Sequence, residues 1–318
     1  MKARIDHGQR MNDQLTESLQ AIVDAMENDN VRSEDFVLPF SGAYGRPYNP
    51  ATDHRASGVN ALLCMLRGIT FYSTYEGWQK LGYQVPSGAS ADLFLSQPRM
   101  YKSERVDDLS GDKILENRLG GFKTFPVWGW DTVKDSVRTE VGKRDKHPIP
   151  AKPWEPPQID KQDATDPLPI VDEFIASTQA EILQSDEGRA FYRPATDTIT
   201  MPKRELFKAT KSSTATECYY STMLHELVHW TGHKSRMDRL GDKNKRGYAY
   251  EELVAEIGSA LLCADLNVSP SIRVDHLQYI KSWLQALDND TKYIVSAGTL
   301  SQKAVDFLHK MQPQSQAA

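Results

Sequence analysis

Apolar side chains at Leu15, Leu19, Ile22, Val23 and Met26 recur three to four residues apart. That spacing lays them on one stripe of a helix, so an amphipathic helix is expected near the start of the chain. A turn-rich stretch follows from Ser41 to Thr52, punctuated by Gly42, Gly45, Pro47, Asn49 and Pro50. A second helix is expected from about Gly58 to Arg67. The run Phe71-Tyr72-Ser73-Thr74-Tyr75 leads to Trp78, then Leu81-Gly82, then a turn at Pro86-Ser87-Gly88. Aromatic alternation from Phe122 to Trp130 predicts a strand. Later in the chain the pattern is mostly helical. Val171 to Leu183 reads as amphipathic. Arg189 to Arg193 and Asp197 to Met201 read as a hairpin around Pro194-Ala195. Thr214 to Thr231 predicts a helix that stops at Gly232 as its C′ residue. Tyr250 to Leu266 predicts another apolar helix.

Between the two halves the composition changes. Pro148, Pro150, Pro153, Pro156, Pro157, Pro167 and Pro169 crowd a short stretch. Proline locks φ and lacks an amide donor, so an extended, semi-rigid connector is expected. The expected layout is a first domain over 1–147, a connector over 148–169 and a second domain over 170–318. Gln312 to Ala318 is expected to fray. At 318 residues the chain suits two domains. Its 39% hydrophobic and 25% charged residues exclude wholesale disorder. Its longest apolar runs, such as Ala61 to Leu66, fall far short of the ~20 residues that span a bilayer. No membrane partner is expected, and no secretory leader from a start reading Met1-Lys2-Ala3-Arg4. Cys64, Cys218 and Cys263 are odd in number and far apart, which suits a reducing cytoplasm better than a disulfide framework. A net charge of -5 argues against a strongly basic nucleic-acid binder, so any such surface must be a local patch.

The sharpest chemistry is His225-Glu226-Leu227-Val228-His229. On a helix, i and i+4 share a face, so both imidazoles can reach one ion. A third ligand is required, with a position left for water, and Glu226 stands beside that water as its base. Two candidates compete for the third place. One is Glu252 on the next helix; Glu256 follows it by four residues, placed to accept the other N–H of His225 and orient that ring. The other is His233, four residues after His229 and beyond Gly232; a place near the helix end suits it better. Lys234, Arg236 and Arg239 read as a surface stripe. Such a His₂Glu site accepts Zn²⁺, with Mn²⁺ or another divalent cation as alternatives.

Two stretches together resemble the ArdC-like antirestriction proteins of plasmids and phages, whose modules also occur in TraC-type plasmid primases. Residues 190–202, Tyr219 to His233, Ser235 to Arg239 and Tyr248 to Gly258 carry the C-terminal resemblance. Arg46 to Pro50, Gly58 to Leu63, Tyr75 to Gly82 and Phe125 to Trp128 carry the N-terminal one. Where the family has a Lys/Gly-rich turn after Leu-Gly, this chain has Pro86-Ser87-Gly88-Ala89-Ser90, without a cation. The resemblance implies an α+β chain: a small N-terminal α+β nucleic-acid-binding domain, then a mainly helical zincin-like metallopeptidase domain. It implies single-stranded DNA as partner and protection of incoming DNA from host restriction, with a host protein as candidate peptide substrate.

Stacking on single strands needs ring platforms interleaved with cations. Tyr44, Tyr48, Phe71, Tyr72, Tyr75 and Trp78 offer rings, and Arg46, Arg55, Arg67 and Lys80 offer cations. The metal site offers hydrolysis, with zinc held by His225, His229 and Glu252, Glu226 as base, Tyr248 or Tyr250 near the oxyanion, and an edge strand near Ile199 pairing with substrate. The competing expectation is a non-enzymatic protein that shields DNA and whose metal site is structural or degenerate. An accessory module of plasmid replication is a third.

Overall fold

The computed structural model describes residues 6–28, 45–106, 113–142, 145–156, 168–209, 213–240, 247–268 and 293–313. The start of the expected turn-rich stretch with Gly42 and Tyr44, Pro157 and Pro167 of the connector, and residues 314–318 lie outside them. The class is α+β. The N-terminal half contains α1 (His7–Asn28), β1 (Tyr48–Asn49), β2 (His54–Arg55), α2 (Gly58–Leu66), β3 (Tyr72–Ser73), α3 (Tyr75–Lys80), β4 (Leu93–Val106), β5 (Lys113–Gly129) and α4 (Trp130–Val133). The C-terminal half contains α5 (Pro169–Ser177), β6 (Glu181–Ser185), β7 (Phe191–Arg193), β8 (Thr198–Pro202), a 3₁₀ turn, α6 (Ala215–Thr231), α7 (Tyr248–Asp265) and α8 (Tyr293–Lys310).

A long antiparallel ribbon, β4 with β5, dominates the first half, and β3 adds to its base in the order β3-β5-β4. At that base Leu93, Leu95 and Val127 are buried with Leu15, Leu19 and Val23 of α1. Gln14 of α1 both donates to and accepts from the backbone of Phe94, at 3.0 and 2.7 Å. Arg10 lies 4.2 Å from the centre of the Phe94 ring. The strand expected over Phe122 to Trp130 is thus the end of a 17-residue strand, and its 14-residue partner was not legible. Gln97 to Lys102 are exposed on both faces, so the residues carry no apolar alternation to read.

A satellite core collects the aromatic residues. Trp78, Tyr83, Val85 and Val133 are buried together, with Trp128, Trp130 and Trp154 packed against them. Trp154 belongs to the proline-rich stretch. Its backbone N–H donates to Leu81 at 2.9 Å, and its carbonyl accepts from the Tyr83 hydroxyl at 2.7 Å. That part of the expected connector is docked onto the first half rather than spanning free.

In the second half the predicted helix over Val171 to Leu183 stops at Ser177, and Glu181–Ser185 is a strand parallel to β8. The Thr178 hydroxyl donates back to Ile175 and accepts from the Ala180 N–H. Gln179 takes a positive φ of 56°. These local bonds replace the helical ladder. The hairpin of β7 and β8 is present as expected, pairing Phe191 with Thr200. Helices α6, α7 and α8 pack side by side and share a core with α2 and the ribbon base. A Cβ on Gly258 would sit 2.9 Å from both methyl groups of Val228, so glycine there lets α7 approach α6. Arg46 crosses between the halves, paired with Asp265 and donating to Gln302 at 3.2 Å.

Candidate metal centre

Helix α6 begins with a reciprocal cap. The Glu217 N–H donates to the Thr214 hydroxyl at 3.2 Å, and the Thr214 N–H donates to the Glu217 carboxylate at 2.7 Å. This fixes where the helix starts and so which residues face inward. Met223, Leu224, Leu227 and Val228 are buried, and His225 and His229 sit one turn apart on the side facing α7. From α7, Glu252 reaches both. Its carboxylate oxygens lie 3.6 Å from His225 Nε2 and 3.4 Å from His229 Nε2. The two Nε2 atoms are 3.1 Å apart. Among the described residues, His225, His229 and Glu252 form a group whose ligand atoms all lie within 4.8 Å of one another.

The outer nitrogens explain that convergence. His229 Nδ1 is 3.2 Å from Glu251 Oε1, and an ionised carboxylate only accepts, so Nδ1 holds the proton. The lone pair of His229 then faces His225 Nε2. Two such lone pairs and a carboxylate at these distances repel unless a cation or a proton lies among them. The protein alone supplies the proton. Burial opposes charge on His225, yet the nearby carboxylates of Glu256 and Glu252 push it up to about 10. His229 is raised against its burial by hydrogen bonds with Glu251 and Glu252. Glu252 is driven far below the carboxylate range by the two imidazoles, although burial alone would raise it. Glu256 Oε1 stands 3.2 Å from His225 Nδ1, at contact distance but outside hydrogen-bond geometry. The donor set is chemically that of a divalent cation site.

A second layer was not read from the sequence. Arg239, expected on a surface stripe, is 5% exposed. Its guanidinium forks onto both Glu251 oxygens at 2.8 Å and also donates to Thr231 and the Val228 carbonyl. Arg239 therefore holds the carboxylate that holds His229. Burial opposes charge on Glu251, but His229 and Arg239 keep its carboxyl below the usual range. Arg236 of the same expected stripe forks onto Asp197 and lies 3.7 Å over the Trp230 ring. Lys234 alone of the three is exposed. The signal available was a run of three cations with a single acid, Asp238, among them; which of the cations turn inward depends on the fold.

Other expectations place differently. His233 points away from the cluster, with Nδ1 2.7 Å from the Ser235 hydroxyl and 3.8 Å from Asp197. Gly232 ends α6 at φ -76°, so it is not a left-handed C′ residue; a Cβ there would press Leu240 at 2.9 Å and Arg239 at 3.0 Å. Tyr250 is fully buried with its hydroxyl 2.7 Å from that of Ser296, which removes it from any oxyanion. Tyr248 is 71% exposed. Ile199 lies on β8, the central strand of the order β6-β8-β7, so the edge expected there belongs to β6 and β7. Glu226 is buried within α6.

The expected DNA-contacting residues separate into two groups. Trp78 at 0%, Tyr72 at 4% and Arg46 at 9% exposure are interior. Trp78 and Tyr72 fill cores, and Arg46 is engaged by Asp265, because the same ring and cation chemistry serves packing as well as ligands. Phe71 is buried too, and Arg67 pairs with Glu17. Tyr48, Arg55, Tyr75 and Lys80 reach the surface. The Arg55 guanidinium lies 5.5 Å from the centre of the Tyr48 ring.

Residues 6–128 match the N-terminal domain of anti-restriction factor ArdC, and residues 169–300 match a zincin-like metallopeptidase domain. The chain is an ArdC-like protein. A crystal structure of the antirestriction ArdC protein from plasmid R388, metal-free, is similar to it with a TM-score of 0.61 and 28% identity, covering 93% of this chain and 97% of that one. A Mn(II)-bound crystal structure of that protein is similar with a TM-score of 0.61 and 27% identity, covering 98% and 100%. An uncharacterised protein of Sinorhizobium fredii is 28% identical over 89% of this chain and 88% of its own length. Two Escherichia coli proteins named DNA primase TraC are each 30% identical over 82% of this chain, but the ArdC-like chain spans only 24% and 17% of their lengths. No helix among its described residues is long and apolar enough to cross a membrane.

Proposed function

We propose that this ArdC-like chain binds single-stranded DNA with its N-terminal half, holds a divalent cation at His225, His229 and Glu252, and protects incoming DNA from host restriction. The observation that carries the metal reading is the 3.1 Å approach of two imidazole Nε2 atoms beside a shared carboxylate. Zn²⁺ suits two imidazoles and a carboxylate, and Mn²⁺ is the alternative supported by the Mn(II)-bound ArdC structure. The cation would supply Lewis acidity toward a carbonyl and toward water. Glu226, the neighbour of His225, would accept the proton from water as a peptide carbonyl is attacked, and return it to the leaving amine. Glu251 and Glu256 would keep the imidazoles oriented. A host protein is the substrate this chemistry would take.

A second reading has one observation in its favour. His225 and Glu226 are each only 2% exposed, as suits a structural cation and a protein that shields DNA by binding alone. Two measurements decide. Metal analysis of the purified full chain should find about one divalent ion per chain, and none in His225→Ala; equal metal content in both would remove the site. Transfer of restriction-sensitive DNA into a restricting host should lose its protection with Glu226→Ala. Protection that survives while the metal is retained assigns the shielding role instead.

A further inference from the structure

We infer that one face of the projecting β4–β5 ribbon, centred on Tyr101, Arg99 and Lys123, is the surface that grips single-stranded DNA. The inference rests on the DNA-binding reading above and assigns its place. The residues first expected there are largely absorbed: Trp78, Tyr72 and Phe71 are in cores, and Arg46 is held by Asp265. The ribbon shows the opposite pattern. Beyond Leu95 it leaves the core, and Met100, Tyr101 and Phe122 are 56%, 52% and 46% exposed. Apolar groups of that size, grouped on one projecting element, call for a partner.

The charge says which partner. Ser96 to Lys102 and the paired Asn117 to Thr124 carry Arg99, Lys102, Arg118 and Lys123 and no acidic residue, Glu104 and Glu116 following only beyond them, in a chain whose net charge is -5. Gln97, Pro98, Arg99, Met100, Tyr101 and Lys123 line a recess of about 510 Å³. The register explains its shape. Pro98 faces Phe122 and Met100 faces Leu119, so β5 holds one extra residue at this point. Gly121, at φ 111°, supplies the left-handed backbone that this bulge needs. The bulge bends the ribbon beside one face, where Gln97 pairs with Lys123 and Arg99 and Tyr101 follow at two-residue steps, so both cations stand beside the Tyr101 ring while Phe122, opposite Pro98, points to the other face. Cations beside a ring match a strand whose phosphates are close and whose bases are unpaired, since only unstacked bases offer a face to Tyr101.

The test uses the full chain and a fluorescently labelled 20-nucleotide oligo(dT), read by anisotropy over several salt concentrations. Tyr101→Ala should weaken binding about tenfold, and Phe122→Ala, on the opposite face, should change little. The double variant Arg99→Gln/Lys123→Gln should reduce the slope of log affinity against log salt by about 1.4. Tyr75→Ala and Lys80→Gln, on the rival surface, should change little. All the ribbon positions are exposed, so the melting temperatures should match the unmodified chain. If that chain binds oligo(dT) and the Tyr101 and Arg99/Lys123 variants bind equally well, the assignment is wrong and the DNA-binding reading stands. Equal competition by duplex DNA, or ribbon variants that change only self-association in sedimentation, also overturns it. If the unmodified chain does not bind at all, both readings fall.

Discussion

Glu251 shows how much one carboxylate decides. It lies on α7 beside Glu252, yet the two have different tasks because successive helical residues point about 100° apart. Glu252 faces both Nε2 atoms, whereas Glu251 sits between His229 Nδ1 and the Arg239 fork. Glu251→Gln keeps the shape and removes the charge that fixes the His229 tautomer. Mn(II) affinity measured by titration calorimetry should fall at least tenfold. Arg239→Lys replaces a planar fork by a point donor and leaves Glu251 poorly matched in the interior. Denaturant unfolding should show a loss of about 2 kcal/mol, and an unchanged midpoint would mean that the fork is not structural.

At the scale of elements, the metal centre depends on how closely α7 lies on α6. Val228 occupies the space that a side chain at Gly258 would need. Gly258→Ala should therefore cost about 1–3 kcal/mol in denaturant unfolding, the usual penalty of overpacking. Adding Val228→Ala should recover part of it, and purely additive losses would refute the contact. Trp78 tests the other half. Fully buried and donating from its indole to the Trp128 carbonyl at 2.8 Å, it behaves as core. Trp78→Ala should lower stability by about 3–5 kcal/mol. DNA affinity should not change in any sample that remains folded.

Across the whole molecule the halves meet at Arg46 and Asp265. Burial opposes ionisation of Asp265, but hydrogen bonds from His309 and Arg46 hold its carboxyl below the ordinary range. A carboxylate depressed in the folded state contributes stability above its unfolded value of ~3.9 and loses it as pH falls through the folded value. Melting temperature should thus drop more steeply between pH 5 and pH 2 in the unmodified chain than in Asp265→Asn. At pH 7 that variant should be less stable by about 3 kcal/mol, because Arg46 is left inside without its charge partner.

The residue order by itself was enough to declare the helix that carries His225 and His229, its start at Thr214, the carboxylates on the following helix and the β7–β8 hairpin. Each is a local signal of cap, turn or 3.6-residue period, and local signals survive without a fold. It did not reveal β4, since the stretch from Gln97 to Lys102, wet on both faces, has no apolar alternation. It could not tell Trp78 from Tyr101, or Arg239 from Lys234, because a ring or a cation suits an interior as well as a ligand. Only the packed chain decides which of them meets a partner indoors. The 3.1 Å approach of two imidazoles is likewise a fact of three dimensions: the four-residue spacing on one helix allows it, and the carboxylates that α7 sets against both rings orient them toward each other.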